Sequence, residues 1–379
     1  MTTEVQDSQG QQCALEENEQ SNSLQTDSEE ALQKESEVEE PVVRRSMRIL
    51  NAKNDWQVYS VQIPTSQQSN AECDAAKQEE LLKLKEFQVY EEEENMGQPC
   101  ISTRWVCTRK GDNVKARLVA KGFQESEPVR ADSPTIGKSI TRLALSIAAS
   151  KGWTIKSTDI KSAFLQSDEI DRTVYLKPPS EASCSSKIWR LKKSLYGLND
   201  AARQFFLSLT NELNRLGCKQ SDLDPTLHFM IGKNNVLIGI ILTHVDDFIH
   251  CGDNMFEEVI MKPLVQRFLA GRCAAGKFKY IGLNIFQTEN HEIYLDQDDY
   301  CASIEEPIMT GNKNGMVELS ANEYTTFRAL VGALNWLVCG SRPDLAFDVL
   351  EHSSKFKKAT KSDLNKCLKS VKKKVRKKL

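Results

Sequence analysis

Residues 236–242 read VLIGIIL, and this stretch limits the fold more than any other in the chain. Such a short, strongly apolar run reads as a buried strand. Two adjacent acids, Asp246 and Asp247, follow at once in THVDDFIH. Burying an unpaired carboxylate costs several kcal/mol or more, so the chain must bring them to a surface or give them a partner. The pattern predicts a hairpin, 236–245 and 248–251, with the acids at or beside its turn. Aspartate suits turns for its own hydrogen bonding, so a purely structural role stays open for the pair taken alone.

The surrounding pattern mixes strands and helices. Two strand-like runs flank the turn signal Gly111-Asp112-Asn113 and predict a hairpin. Ile140, Leu143, Ala144, Ile147 and Ala148 recur at helical spacing, with Gly152 as the stop. In TIKSTDIKSAFL, Ile155, Ser157 and Asp159 share one face of a strand, and Phe164 lies just beyond it. A second helix runs from Asp200, a plausible N-cap, to Gly217. A last one places Tyr324, Phe327, Leu330, Val331, Leu334 and Leu337 on one stripe.

Asp159 is a third carboxylate at a strand end. Three converging carboxylates repel one another unless a cation lies among them, and hard oxygen ligands without His or Cys select Mg²⁺ or Mn²⁺. A pair of such ions can activate an attacking hydroxyl and stabilise a leaving oxygen in phosphoryl transfer.

Composition narrows the function classes. The eleven cysteines are scattered with no C-x-x-C pair, and five histidines complete a poor zinc-ligand set; the thiols, Cys107, Cys184, Cys251 and Cys339 among them, are expected to be reduced core residues. No apolar stretch approaches the roughly 18 residues of a membrane span, and the N-terminus lacks a signal-peptide layout, so an intracellular protein, cytoplasmic or nuclear, is expected. The net charge of −3 hides strong polarity: residues 1–43 hold twelve acids and one lysine, residues 355–379 twelve basic residues and one acid. The acidic leader has a disorder composition, and no fold is expected before about residue 80. The basic tail fits a solvated helix end, a nucleic-acid arm or a localisation patch.

Seven segments, in order, resemble the reverse transcriptase region of Ty1/copia-type retrotransposon Pol polyproteins: RWVCTRKGDNVKARLVAKGF, GWTIKSTDIKSAFLQSDEIDRTVYLKPP, IWRLKKSLYGLNDAARQF, LGCKQSDLDPTLH, ILTHVDDFIHCGD, FKYIGLNI and FRALVGALNWLVCGSRPDLAF. They cover residues 104 to about 365. The resemblance implies an α+β, right-hand polymerase fold with fingers, an antiparallel palm sheet packed on helices, and a thumb. It divides the chain into an acidic leader (1–80), the polymerase-like domain (81–365) and a basic tail (366–379) that begins a connection to a ribonuclease H domain. It implies RNA-directed DNA synthesis with two Mg²⁺ or Mn²⁺ ions, an RNA or DNA template-primer and deoxynucleoside triphosphates. Asp159, Asp246 and Asp247 match the catalytic, metal-holding acids, and Phe164 the aromatic steric gate. Lys110 and Arg117 match the fingers cations, with Lys115 beside them, and Gly197 matches the segment beneath the templating base pair; YIGLNI resembles the primer grip.

The chain also departs from the family. His244 stands where a tyrosine is usual, RFLAGRCAAGKFKYIGL lacks the expected acidic pattern, and Pro263 is expected to break or kink a helix. An element-derived protein that keeps the fold without useful catalysis is the alternative.

Removing residues 1–43 takes the net charge from −3 to +8. Nucleic-acid binding by the shortened protein should tighten and depend more steeply on salt; equal affinities across a salt titration would exclude shielding by the leader.

Overall fold

The fold is organised by the strand 236–242 anticipates. The computed structural model describes residues 61–68, 70–182, 186–305 and 315–373. These residues fall within one compact unit, Ala52–Leu379; most of the acidic leader, Cys184 and the end of the basic tail lie outside the described residues. The central sheet has six antiparallel strands: β3 (Lys156–Ile160), β4 (Leu227–Ile231), β5 (Leu237–His244), β6 (Asp247–Gly252), β7 (Ala270–Ala275) and Lys219–Gln220, in the order β7-β3-β6-β5-β4-(219–220).

Both faces of this sheet are covered, which is why β5 is apolar without alternation. Ile241 and Phe248 join Phe205, Leu209 and Leu213 of helix α3 (Ala201–Arg215), with Phe256 and Phe268, on one side. Ile240, Leu242 and Ile249 join Ala144, Leu145 and Ala148 of α2 (Lys138–Lys151) on the other. That second layer also contains Tyr280 and Ile285 from a small antiparallel sheet of β8 (Lys277–Tyr280), β9 (Leu283–Gln287) and β10 (Ile293–Asp296). Gly239 and Gly252 pair across β5 and β6, and a Cβ on either would stand 2.1 or 2.5 Å from the Phe256 ring. The two glycines thus form the floor on which that fully buried ring rests.

The 103–120 hairpin forms as β1 (Thr103–Lys110) and β2 (Asn113–Ala120), joined in a sheet with Val61–Gln62. Helix α1 (Ala71–Glu86) packs on it through a stripe of Cys73, Ala76, Lys77, Glu80, Leu81 and Leu84. Ordered structure therefore begins well before residue 80. The stripe mixes small and charged residues with leucine, so it carries almost no amphipathic signal. At the other end, α4 (Ala321–Gly340), α5 (Ala346–Ser353) and α6 (Lys361–Lys373) enclose a separate core of Phe327, Leu334, Leu337, Leu364, Cys367 and Val371. The boundary at 366 cuts through α6: Cys367 and Val371 are fully buried, so residues 366–373 belong to the packed domain.

Two local expectations are corrected. Asp200 precedes α3 but makes no side-chain cap; its carboxylate instead accepts from Arg172 Nη2 at 2.7 Å and Gln204 Nε2 at 3.0 Å. Pro263 does not break its helix. The segment runs from Asn254 to Arg267 with a π-turn at Glu257–Met261 just before the proline, and the wider turn accommodates the missing N–H and the ring. All nine cysteines among the described residues are free, but Cys339 and Cys273 are exposed, so the core reading applies to Cys107 and Cys251 and not to Cys339.

Phe256→Ala should cost about 3–5 kcal/mol by urea denaturation, and Gly252→Ala about 1–3 kcal/mol through overpacking against the ring. The double variant should cost less than the sum, because the alanine methyl then occupies space the ring has left.

Candidate active site

Strands β5 and β6 are joined by Val245 and Asp246 alone, with His244 paired to Asp247. Val245 has φ +58°, a conformation that a β-branched residue adopts only when its surroundings impose it, at about 1–3 kcal/mol. Here the ladders on either side impose it. Strand β6 pairs with β3 so that Asp247 stands directly opposite Asp159, and the Ile160 N–H donates to the Asp246 carbonyl at 2.9 Å. Of the three acids anticipated from sequence, register sets Asp159 opposite Asp247 and adjacency sets Asp246 beside it at one corner of the sheet, while no three His, Cys, Asp or Glu side chains among the described residues are drawn close enough to hold an ion.

Their electrostatics reflect this placement. Like charges directly opposite on paired strands destabilise the sheet. Among the described residues no Lys, Arg or His forms an ion pair with any of the three. Loss of hydration and the charges of Asp246 and Asp159 push the Asp247 carboxyl up to about 6, with Arg272 acting in the opposite direction. The Asp246 carboxyl is raised as well, first by desolvation and then by Asp159, against the pull of Arg117 and His244.

Arg117 reaches this corner from the β1–β2 hairpin. Its guanidinium lies 5.6 Å from the centre of the Tyr196 ring, and its charge opposes the burial that raises the Tyr196 hydroxyl. Pairing of Thr108 with Lys115 and of Lys110 with Asn113 puts Lys110, Lys115 and Arg117 on one exposed face. Lys110 sits at the far tip beside the turn and Arg117 nearest the acids. Phe164, in the short helix Ala163–Gln166, packs its half-buried ring 5.2 Å from that of Tyr196.

Gly197 has φ +90°, and a Cβ there would lie 2.2 Å from the Ala120 carbonyl and 2.5 Å from Val119. This position therefore requires glycine to let the hairpin meet the 194–200 segment. The Ala120 N–H donates to the Tyr196 carbonyl and the Gly122 N–H to that of Gly197. Asn199 and Glu125 tie the same junction, and Arg172 bridges Glu125 to Asp200. The primer-grip-like stretch forms the β8–β9 hairpin, with positive φ at Ile281 and Gly282. Its Tyr280 ring lies 6.5 Å from His244, edge to face, and the buried hydroxyl has no partner among the described residues.

Tyr280 belongs to the stretch singled out from sequence as primer-grip-like, whereas Tyr196 and Arg272 were missed at the sequence level. Tyr196 was visible as the aromatic between two leucines in SLYGL. Arg272 had no local signal, because it lies in the stretch that departs from the family pattern.

The family model described as reverse transcriptase (RNA-dependent DNA polymerase) matches residues 87–320. The chain is 26% identical over 308 residues to the retrovirus-related Pol polyprotein from transposon TNT 1-94 of Nicotiana tabacum, covering 72% of this chain and 23% of that protein. It is 30% identical over 165 residues to that from transposon RE1 of Arabidopsis thaliana, covering 41% and 11%, and 29% identical over 177 residues to the transposon Ty1-NL2 Gag-Pol polyprotein of Saccharomyces cerevisiae, covering 45% and 10%. The chain thus spans less than a quarter of the length of these relatives. Among solved structures, a foamy viral protease-reverse transcriptase in complex with RNA/DNA hybrid aligns with TM-score 0.43 and 10% identity over 80% of this chain and 37% of that one. Apo telomerase from Candida tropicalis aligns with TM-score 0.35 and 8% identity over 59% and 60%.

Raising the Asp247 carboxyl makes the native state hold a proton that the unfolded chain, with an ordinary carboxyl near 4, releases. The stability linked to this group is full below about pH 4 and is lost as the pH rises through about 6. Asp247→Asn removes that loss. Without divalent ions the variant should be more stable than wild type at pH 7 by on the order of 1 kcal/mol, a figure reduced for solvent screening. The gain should vanish at pH 4, as paired urea melts would show.

Proposed function

The chain belongs to the reverse transcriptase (RNA-dependent DNA polymerase) family of Ty1/copia-type Pol polyproteins, and on that premise we propose that it is an RNA-directed DNA polymerase core working by two-metal nucleotidyl transfer. The observation that carries this is the cross-strand pairing of Asp159 with Asp247, with Asp246 next to it and no cationic side chain bound to any of them.

Nothing but repulsion acts among these carboxylates as they stand. Among the described residues no three His, Cys, Asp or Glu side chains are drawn close enough to hold an ion. The donor set still fits a hard divalent cation: three carboxylates, two of them raised by crowding and lost hydration, with no His or Cys ligand. Asp159, Asp246 and Asp247 would hold Mg²⁺ or Mn²⁺. Such ions would polarise the phosphoryl oxygens and stabilise both the entering and the leaving oxygen of an in-line displacement.

The remaining roles fall to side chains and backbone around the acids. Arg117, with Lys110 and Lys115 on the same hairpin face, would bind the triphosphate of a deoxynucleotide, the guanidinium by paired hydrogen bonds to phosphate oxygens. Phe164, braced by Tyr196, would crowd a ribose 2′-hydroxyl. The backbone at Gly197, bare of a side chain, would support the templating base pair. His244 and Tyr280 would line the primer side, the β8–β9 hairpin serving as the grip. An RNA or DNA template-primer and deoxynucleoside triphosphates are the substrates on this reading, and cytoplasm or nucleus the setting.

Primer extension by the full chain on poly(rA)/oligo(dT) with Mg²⁺ or Mn²⁺ tests it. Asp246→Asn should lower extension by at least about 100-fold while template binding and folding persist, and His244→Tyr should raise it. Template binding without extension in both wild type and His244→Tyr would favour the non-catalytic alternative. Extension undiminished in Asp246→Asn would remove that residue from the mechanism.

A further inference from the structure

Strand β7, the stretch that departs from the family pattern, lies on the far side of β3 from β6. Its register breaks beside the acids: Ala270 pairs with Ile160 and Cys273 with Thr158, leaving Gly271 and Arg272 opposite Asp159 alone. Two residues facing one is a β-bulge, a device that re-aims side chains beside functional sites. Gly271 lies under the Asp159 carboxylate. A Cβ there would stand 2.2 Å from Oδ2, 3.2 Å from Cγ and 3.3 Å from the carbonyl oxygen of Asp159. Real Cβ atoms do not approach so closely, and Gly271 has no positive φ, so the need for glycine is steric and not conformational.

The backbone of β7 has little room to yield. The Lys161 N–H donates to the Leu269 carbonyl at 3.0 Å, the Leu269 N–H donates to Gln166 Oε1 at 2.8 Å, and Cys273 to Ala275 pair in register with β3. Any side chain at 271 would therefore displace the carboxylate before it displaced the strand. Asp159 has only two side-chain torsions between its Cα and its carboxylate oxygens, and its Cα is fixed by ladders on both sides.

We propose that Gly271 is a positioning residue for divalent-cation binding: the bulge in β7 leaves an empty place in which the Asp159 carboxylate lies, and so sets how tightly the acid cluster holds its ion. This rests on the functional reading given above. Gly271 touches no substrate and acts only through Asp159. Supports of this kind typically change metal affinity by 10- to 100-fold when altered.

Mn²⁺ binding followed by electron paramagnetic resonance tests the idea on the full chain without turnover. Gly271→Ala should weaken Mn²⁺ binding on the order of tenfold with its circular dichroism unchanged. The control Gly332→Ala, where a Cβ meets nothing, should bind as wild type does. A folded Gly271→Ala protein with wild-type affinity overturns the proposal. If Gly271→Ala fails to fold, the Asp159→Ala background decides: with the carboxylate gone the clash is gone, so Asp159→Ala/Gly271→Ala should melt where Asp159→Ala does, and continued misfolding overturns the proposal. Retained affinity in Gly271→Ala with affinity lost in Asp246→Asn would sink this inference alone. Mn²⁺ binding indifferent to Asp246→Asn would sink the functional reading with it.

Discussion

The repulsion between Asp159 and Asp247, fixed opposite each other by the β3–β6 ladder, is the constraint to which the rest of this molecule answers. A sheet left to itself would not place like charges in direct cross-strand contact. It is held because the same register buries Thr158, Phe248 and Ile249 in the rungs that follow the pair. One register step would move every one of these side chains to the opposite face of the sheet. The hydrophobic pattern thus specifies the register, and the register brings the charges together. Strain at Val245 and raised carboxyls at Asp246 and Asp247 are the local consequences.

Close backbone approaches complete the site, and glycine makes each of them possible. Gly197 lets the end of β2 meet the 194–200 segment, so Arg117 and Tyr196 come into contact. Gly239 and Gly252 let Phe256 pack closely on the two strands whose turn carries Asp246 and Asp247. Gly271 leaves room for Asp159. Each removes a side chain where two layers, or a layer and a charge, would otherwise collide. The partly buried ion pairs of Arg172 with Asp200 and Glu125 lock the first of these junctions; with each charge partnered, that network escapes the penalty of an isolated buried ion.

Expectations from sequence held best where a single physical rule acts within a few residues. The apolar run at 236–242, the Gly111 turn and the Gly152 stop, whose φ is +65°, each follow from local chemistry. Reading failed where a residue's role is set by something distant. Asp200 has the look of an N-cap, yet Arg172, twenty-eight positions earlier, takes its carboxylate. Helix α1 hides its buried stripe because Lys77 and Glu80 are part of it; Lys77 is paired there with Asp74 and Glu181. The basic residues of α6 suggested a solvated tail, while its small apolar stripe, Leu364, Cys367 and Val371, packs against α4.

Sequence by itself determined that this chain has a buried strand ending in two acids, a third acid at another strand end and a family membership legible in seven ordered segments, because hydrophobic periodicity and residue chemistry are local properties. Only the tertiary structure decided that Asp159 faces Asp247, that Arg117 comes beside Tyr196 and close enough to act on Asp246, and that β7 is bulged where Gly271 lies beneath a carboxylate. Those facts depend on which strands become neighbours and in what register. That choice is made by the burial of two whole faces at once, a sum over the molecule that no short stretch of sequence contains.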